Sequence, residues 1–390
     1  MKIFLYGPGK RYPEVGKGNA MINEKRIAEE FLQLLKIDSL SFREREICDR
    51  LKMILGNMGL NAYEDDAGAK IGGNCGNLAA VLRGDSSRIP LLLMAHMDTV
   101  APGRGKKPVF QDGIFRSDGT TVLGGDNIAG IEIILETLRI LKEDGIEHGD
   151  IWVVFTVAEE EGLLGSRHFD YDGINAQYGI VLDCGGRPGV VALKSAARYD
   201  MEINVYGKSA HAGIEPEKGV SAIQIAGKAI SLMKLGRIDE ETTANIGVIT
   251  GGTAVNIVCD HVVLKAEVRS ISEEKAMIQI KHMKECLNNA ACLYGGSVTV
   301  DEKLKYHAFN IDENDSIVSL LKTAAAGIGL ELQFVATGGG SDANIVNLKH
   351  IPTVNLAIGM QNMHRKDESI SISDMKRSIE FLVSIIRNAV

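Results

Sequence analysis

The sequence predicts an α/β protein: a largely parallel sheet flanked by helices, with a smaller α+β unit inserted into it. Three observations carry this expectation. At 390 residues the chain is too long for one ordinary core, so two domains are expected. Apolar runs with no polar alternation, which suit strands buried on both faces, are separated by helical patterns early in the chain, and the same rhythm returns near residue 310. Between these stretches the order changes to strand, helix, strand, strand, helix, strand, the plan of a ferredoxin-like two-layer unit.

The elements follow in order. Residues 1–22 are broken by Gly7, Pro8, Gly9, Pro13, Gly16 and Gly18 and read as a flexible extension. Helical spacing covers Ile27–Leu35. A second helix is expected from Ser41, with Glu44 completing a capping box, to Gly59. Strands are expected at Leu78–Leu82, Leu91–Ala95, Ile151–Val157 and Ile180–Leu182. A helix, Ile128–Leu141, places Ile131, Ile134, Leu135 and Leu138 on one face. The insert, 195–307, reads as strand Met201–Val205, helix Ala222–Met233, strands Ala244–Ile249 and Val262–Val268, helix Glu273–Leu293 and strand Ser297–Val300. Helix Ile317–Ala326, strands Leu332–Val335 and Thr353–Ala357, and helix Asp374–Arg387 complete the host domain, 23–194 plus 308–390.

Composition narrows the function. A formal net charge of −8 argues against a nucleic acid or a membrane surface as partner, since both call for a basic face. No apolar run is long enough to span a bilayer. Six cysteines without CxxC spacing read as reduced thiols, which points to the cytoplasm.

Several polar residues fall where the predicted strands end. His96-Met97-Asp98 follows the run Leu91–Ala95, and residues two apart on an extended backbone face the same way. A carboxylate beside a histidine can orient it as a metal ligand, although an isolated His-x-Asp is a weak signal. Asp126 in Gly124-Gly125-Asp126-Asn127 could be a simple helix cap, but the paired glycines allow a close approach of the backbone to something bound. Glu159-Glu160-Glu161 follow a buried strand. They are either a solvated loop or a pair of acids with separate jobs, one on metal and one moving protons. Asp183 precedes Gly185-Gly186 at the next strand end, and His364 lies in the loop after Thr353–Ala357. In open α/β sheets such ends are where ligands bind. Two histidines and three carboxylates, without thiolates, exceed one tetrahedral ion and suit two zinc ions that share a bridging carboxylate, with manganese or cobalt as substitutes.

These residues sit in AHMDTV, SDGTTVLGGDNIAG, FTVAEEEGLLGS, VLDCGG and GKSAHAG, and with the His364 loop they resemble the M20 family of metallopeptidases, within it the peptidase T (tripeptide aminopeptidase) branch. The resemblance runs from about Asn23 onward. It implies a zinc-peptidase catalytic domain with an inserted ferredoxin-like lid, at residues 195–307, and cleavage of small peptides. By this likeness His96 and Asp183 would hold one zinc, Glu160 and His364 the other, and Asp126 would bridge them. Asp98 would orient His96, and Glu159 would be the general base, because the family pattern is Glu-Glu-x-Gly. His211, Asn256 and Arg269 match lid positions that contact substrate, and self-association as a homodimer through the lid is a further implication. Ile128 and Cys184-Gly185 depart from the branch's usual residues, which bears on substrate choice and leaves the ligand set intact. Other activities on the same metal core are a dipeptidase, a carboxypeptidase or an N-acyl amino-acid deacylase. A non-catalytic binding protein is disfavoured, since every ligand and Glu159 are present.

Overall fold

The computed structural model describes residues 22–390, so the extension expected at 1–22 lies, apart from its last residue, outside the described residues. The described chain forms two compact units. One comprises the described residues up to Leu193 with Ile311–Val335 and Ser341–Val390, and the other comprises Lys194–Asn310 with Ala336–Gly340.

The larger unit is organised by a mixed sheet. Its strands run Tyr63–Glu64, Leu78–Leu82, Ile151–Thr156, Leu91–His96, Tyr178–Cys184, Thr353–Ala357 and Val190–Ser195, in that spatial order. The central four are mutually parallel, while Leu78–Leu82 and Val190–Ser195 pair antiparallel to their inner neighbours. The parallel strands are the continuous apolar ones: every residue of Leu91–His96 and of Ile151–Thr156 is buried. Helix Gly125–Glu143 packs on Leu91–His96 and against helices Glu24–Leu35 and Ile372–Asn388. Each large side chain sealed here, such as Phe31, Leu93 or Phe155, contributes about 1.5–3 kcal/mol through removal from water. Parallel order brings the C-terminal ends of these strands to one edge, where His96 registers with Thr156 and Ala357 with Cys184.

Two local expectations change. The helix expected from Ser41 is Arg45–Asn57, with Glu44 at its N-cap position and no side-chain cap. Ser41 and Glu44 are drawn into tertiary hydrogen bonds: Ser41 Oγ–H donates to Asp98, and Glu44 accepts the Phe42 and Ala158 N–H groups. The helix expected from Ile128 spans Gly125–Glu143, but Asp126 and Asn127 have non-helical backbone angles, so regular helix begins at Ile128.

One side chain of this helix is unusual. Glu132 is fully buried, and neither carboxylate oxygen meets a hydrogen-bond donor. Burial, and the nearby Glu30 charge, hold its pKa well above the ordinary glutamate value, with Arg139 opposing.

The smaller unit is an antiparallel sheet in the order Gly236–Arg237, Thr242–Gly251, His261–Ser270, Ala197–Tyr206, Ser297–Tyr306. Helices Ala222–Leu232 and Glu273–Tyr294 pack on it, and Met201, Ile203, Val205 and Leu264 meet Ile225, Ala229, Ile280 and Met283 in a common core. Apart from the short edge strand Gly236–Arg237, the chain order is the β-α-β-β-α-β plan of a ferredoxin-like unit.

Candidate metal centre

The strand ends of the larger unit bring two imidazoles and five carboxylates together. His96 closes a fully buried strand and is 2% exposed. Its Nδ1–H donates to the backbone carbonyl of Asp98 at 2.9 Å, which turns Nε2 toward the acids. Nε2 lies 3.1 Å from Asp126 Oδ1 and 3.5 Å from Asp183 Oδ1. On the other side, His364 Nε2 lies 3.2 Å from Asp126 Oδ2 and 2.8 Å from Glu160 Oε1. Asp126 therefore stands between the two histidines, one carboxylate oxygen toward each.

Asp98 faces both His96, whose Nδ1 lies 3.4 Å from its Oδ1, and the glutamate turn. Its Oδ1 accepts the Glu159 N–H at 2.9 Å, and its Oδ2 accepts the Glu160 N–H at 3.2 Å and the Ser41 hydroxyl at 2.7 Å. Burial alone would push its carboxyl up, but the His96 imidazole and these donors hold it below the ordinary aspartate value. The residue before the turn, Ala158, has a left-handed backbone (φ 46°) and is tied by its N–H to Glu44 Oε1 at 3.0 Å. His364 is left-handed too (φ 62°). Such conformations persist where surrounding contacts fix them.

Asp183 is fixed from both ends. Its N–H donates to Asn355 Oδ1 at 2.9 Å, and Asn127 Nδ2–H donates to its Oδ1 at 3.1 Å. The neighbouring Cys184 thiol turns away, into a small apolar cluster with Val190, Ala192 and Ala357.

The electrostatics of these groups reflect crowded negative charge. Burial, with Asp126 and Glu160 nearby, pushes Asp183 up to about 8. Burial and the Asp183 charge likewise raise Glu159 well above its usual value. Hydrogen bonding to Asp126 and Glu160 pushes His364 up to about 10. Asp126 moves the other way: burial would raise it, but His364 and His96 together hold it far below the usual range.

This donor set fits divalent cations. Ligand atoms of His96, Glu159 and Asp183 lie within 4.8 Å of one another, as do those of His96, Asp126 and Glu160. Mixed imidazole and carboxylate donors are the chemistry of zinc, manganese or cobalt.

The structure brings His96, Asp98, Asp126, Glu159, Glu160, Asp183 and His364 together in one unit. His211, Asn256 and Arg269 belong to the other. His211 and Asn256 are exposed and adjacent, since the Ala212 N–H donates to Asn256 O and His211 bridges to Ile257. Arg269 is partly buried and engages Glu267, Tyr306 and the Gly338 carbonyl. Sequence reasoning did not single out Ser41, Glu44, Asn127, Asn355 or Glu368 as functional residues.

The family model of peptidase family M20/M25/M40 matches residues 92–388. The chain is 45% identical over 369 residues, 95% of its own length and 100% of the relative's, to the uncharacterized protein YqjE of Bacillus subtilis. A crystal structure of the aminopeptidase PepT of Bacillus cereus is similar at 43% identity and a TM-score of 0.87, covering 95% of this chain and 99% of that one. A Staphylococcus aureus tripeptidase structure is similar at 38% identity and a TM-score of 0.91, covering 94% and 98%. Fold and sequence together are those of a hydrolase of the peptidase class. The chain belongs to peptidase family M20/M25/M40.

Proposed function

We propose that this chain is a two-zinc aminopeptidase that releases the N-terminal residue of tripeptides. The observation that carries the reading is the convergence of His96, Asp126, Glu160, Asp183 and His364, with Asp126 presenting one oxygen toward each histidine. The aminopeptidase and tripeptidase structures named above support the substrate class, since each is covered over nearly its whole length at 38–43% identity.

In this reading His96 and Asp183 would hold one ion and Glu160 and His364 the other, with Asp126 as the shared ligand. When bound, such ions act as Lewis acids toward a peptide carbonyl and make water more acidic. The protein's own part is to place and move a proton. Glu159 is buried beside the ligands, and burial with neighbouring negative charge raises its proton affinity above that of an ordinary carboxylate, the direction that favours accepting a proton from water and returning it to a departing amine. Asp98 fixes the backbone of Glu159 and Glu160 together, so the base and the adjacent ligand keep their mutual geometry. His211, Asn256 and Arg269 are assigned to substrate contact, Arg269 because its planar fork suits a carboxylate. Zinc as the metal, a homodimer through residues 195–307 and a cytoplasmic location are part of the same proposal. The first is supported by the donor types, the second by exposed Ile278 and Leu293 on one helix, and the third by six free cysteines. Among the described residues no helix is long and apolar enough to cross a membrane.

The test is a panel of tripeptides, their N-acetylated forms and N-acyl amino acids, assayed with Glu159→Gln alongside the parent enzyme. The expected result is release of the first residue from free tripeptides, none from blocked ones, and about a 10²–10⁴-fold lower kcat in the variant with metal content unchanged. Preferred cleavage of N-acyl amino acids would replace the aminopeptidase reading, and full activity in Glu159→Gln would remove the residue as base.

A further inference from the structure

Glu368 lies four residues beyond His364, and its carboxylate reaches the turn that carries Asp126. It is 1% exposed. Oε2 accepts the Gly124 N–H and Oε1 the Asp126 N–H, each at 2.9 Å. The turn is shaped for this contact. Gly124 is left-handed (φ 76°), and a Cβ on Gly125 would lie 3.0 Å from Glu368 Oε1. Above the same turn sits Lys106, a lysine only 5% exposed, whose Nζ would be 2.9 Å from a Cβ on Gly124 and which faces the charges of Asp38 and Glu368. A buried carboxylate is thus given two backbone donors, with a buried lysine on the far side of the turn, and the donors offset part of its desolvation.

Aspartate has a single methylene between backbone and carboxylate, so the direction of its oxygens follows the backbone closely. At Asp126 that direction matters, because Oδ1 and Oδ2 diverge toward His96 and His364 at 3.1 and 3.2 Å. Asp126 and Asn127 depart from helical geometry, so the helix ladder does not by itself fix this segment. Glu368 supplies the restraint from a loop more than 200 residues away in sequence, the loop that also carries His364.

We propose that Glu368 is a positioning residue for the metal centre: by accepting both N–H groups it sets the orientation of Asp126 and locks that turn to the His364 loop. The role rests on the metal-binding reading above. It calls for a carboxylate in particular, because the two donors take separate oxygens and an amide offers one acceptor only.

The test titrates metal-depleted, full-length parent protein, Glu368→Gln, Glu368→Ala and Glu368→Asp with Zn²⁺ against a chromophoric chelator. Visible spectra of the Co²⁺-loaded forms and unfolding of the metal-free forms are recorded in parallel. Glu368→Gln is expected to weaken both ions by about 10–100-fold, the usual consequence of losing a group that orients a ligand, and to alter the Co²⁺ spectrum. Glu368→Asp, with two oxygens on a shorter arm, is expected to recover part of the affinity lost in Glu368→Ala, and it keeps the question open to measurement if the alanine variant fails to fold. Unchanged affinities and spectrum in Glu368→Gln, whatever its melting temperature, would overturn the positioning role and leave the metal reading standing. A parent protein that takes up no ion would bring down both.

Discussion

Replacing Glu132 by glutamine probes a buried carboxyl that the catalytic chemistry leaves unused. In the folded protein its pKa is held well above the ordinary value by burial and by the Glu30 charge, whereas in the unfolded chain it titrates near about 4.3. Above that pH the unfolded chain has given up a proton that the folded protein keeps. The stability contributed by this group is therefore fully present below the unfolded pKa and lost as pH rises toward the folded one. The slope approaches about 1.4 kcal/mol per pH unit where the two states differ by one proton, so as pH rises above the unfolded value the parent should lose stability relative to Glu132→Gln, which cannot titrate. The protonated acid and the amide can each donate to Glu30, so that contact is common to both proteins. Urea unfolding can be followed through Trp152, the single tryptophan, which lies in strand Ile151–Thr156 of the same unit. Proton-linked metal uptake is common to both proteins and cancels in the comparison. A difference that stays flat with pH, or a variant that loses ground as pH rises, would refute the reasoning.

Asp98→Asn keeps the size but offers one acceptor where the Glu159 and Glu160 N–H groups use two oxygens, so kcat should fall by about 10–100-fold with KM nearly unchanged in steady-state assays. In Gly130→Ala the new Cβ would lie 2.2 Å from Asn127 Oδ1 and 2.7 Å from the Leu182 carbonyl, so the side chain that holds Asp183 must move. A loss of about 1–3 kcal/mol in thermal unfolding, with weaker metal uptake, is expected. Because Asp126 and Glu160 push the His364 imidazole up to about 10 in the metal-free protein, ion binding at neutral pH must expel its proton. Apparent affinity should then rise with pH, and calorimetry in buffers of different ionisation enthalpy should detect proton release; zero release would contradict the ligand assignment.

Much of the fold was readable because its signals are local. The apolar runs Leu91–Ala95 and Ile151–Val157 could hardly be anything but buried strands, and the acids and histidines that follow them stand out against that background. The regular part of the helix after Asp126 begins at the residue its periodicity indicates. What local pattern could not show is competition from distant partners. Ser41 and Glu44 have capping-box spacing, yet Asp98 and Ala158 claim their side chains, and the helix starts later without a side-chain cap. The antiparallel placement of Val190–Ser195 depends on pairing with Thr353–Ala357, about 160 positions further on. Asn127 and Glu368 look like ordinary loop polars in sequence, because the atoms they serve, on Asp183 and Asp126, are brought to them only by the folded sheet.

Asp126 sits between a histidine supplied early in synthesis and another supplied only after some two hundred and seventy further residues have been added. A chain emerging from the ribosome therefore exposes His96, Asp126, Glu160 and Asp183 long before His364 and Glu368 arrive to close the cradle. Until then the cluster lacks one of the two imidazoles that the metal-binding reading gives it. In that reading the complete ligand set would form only once the His364 loop has folded against the strand ends.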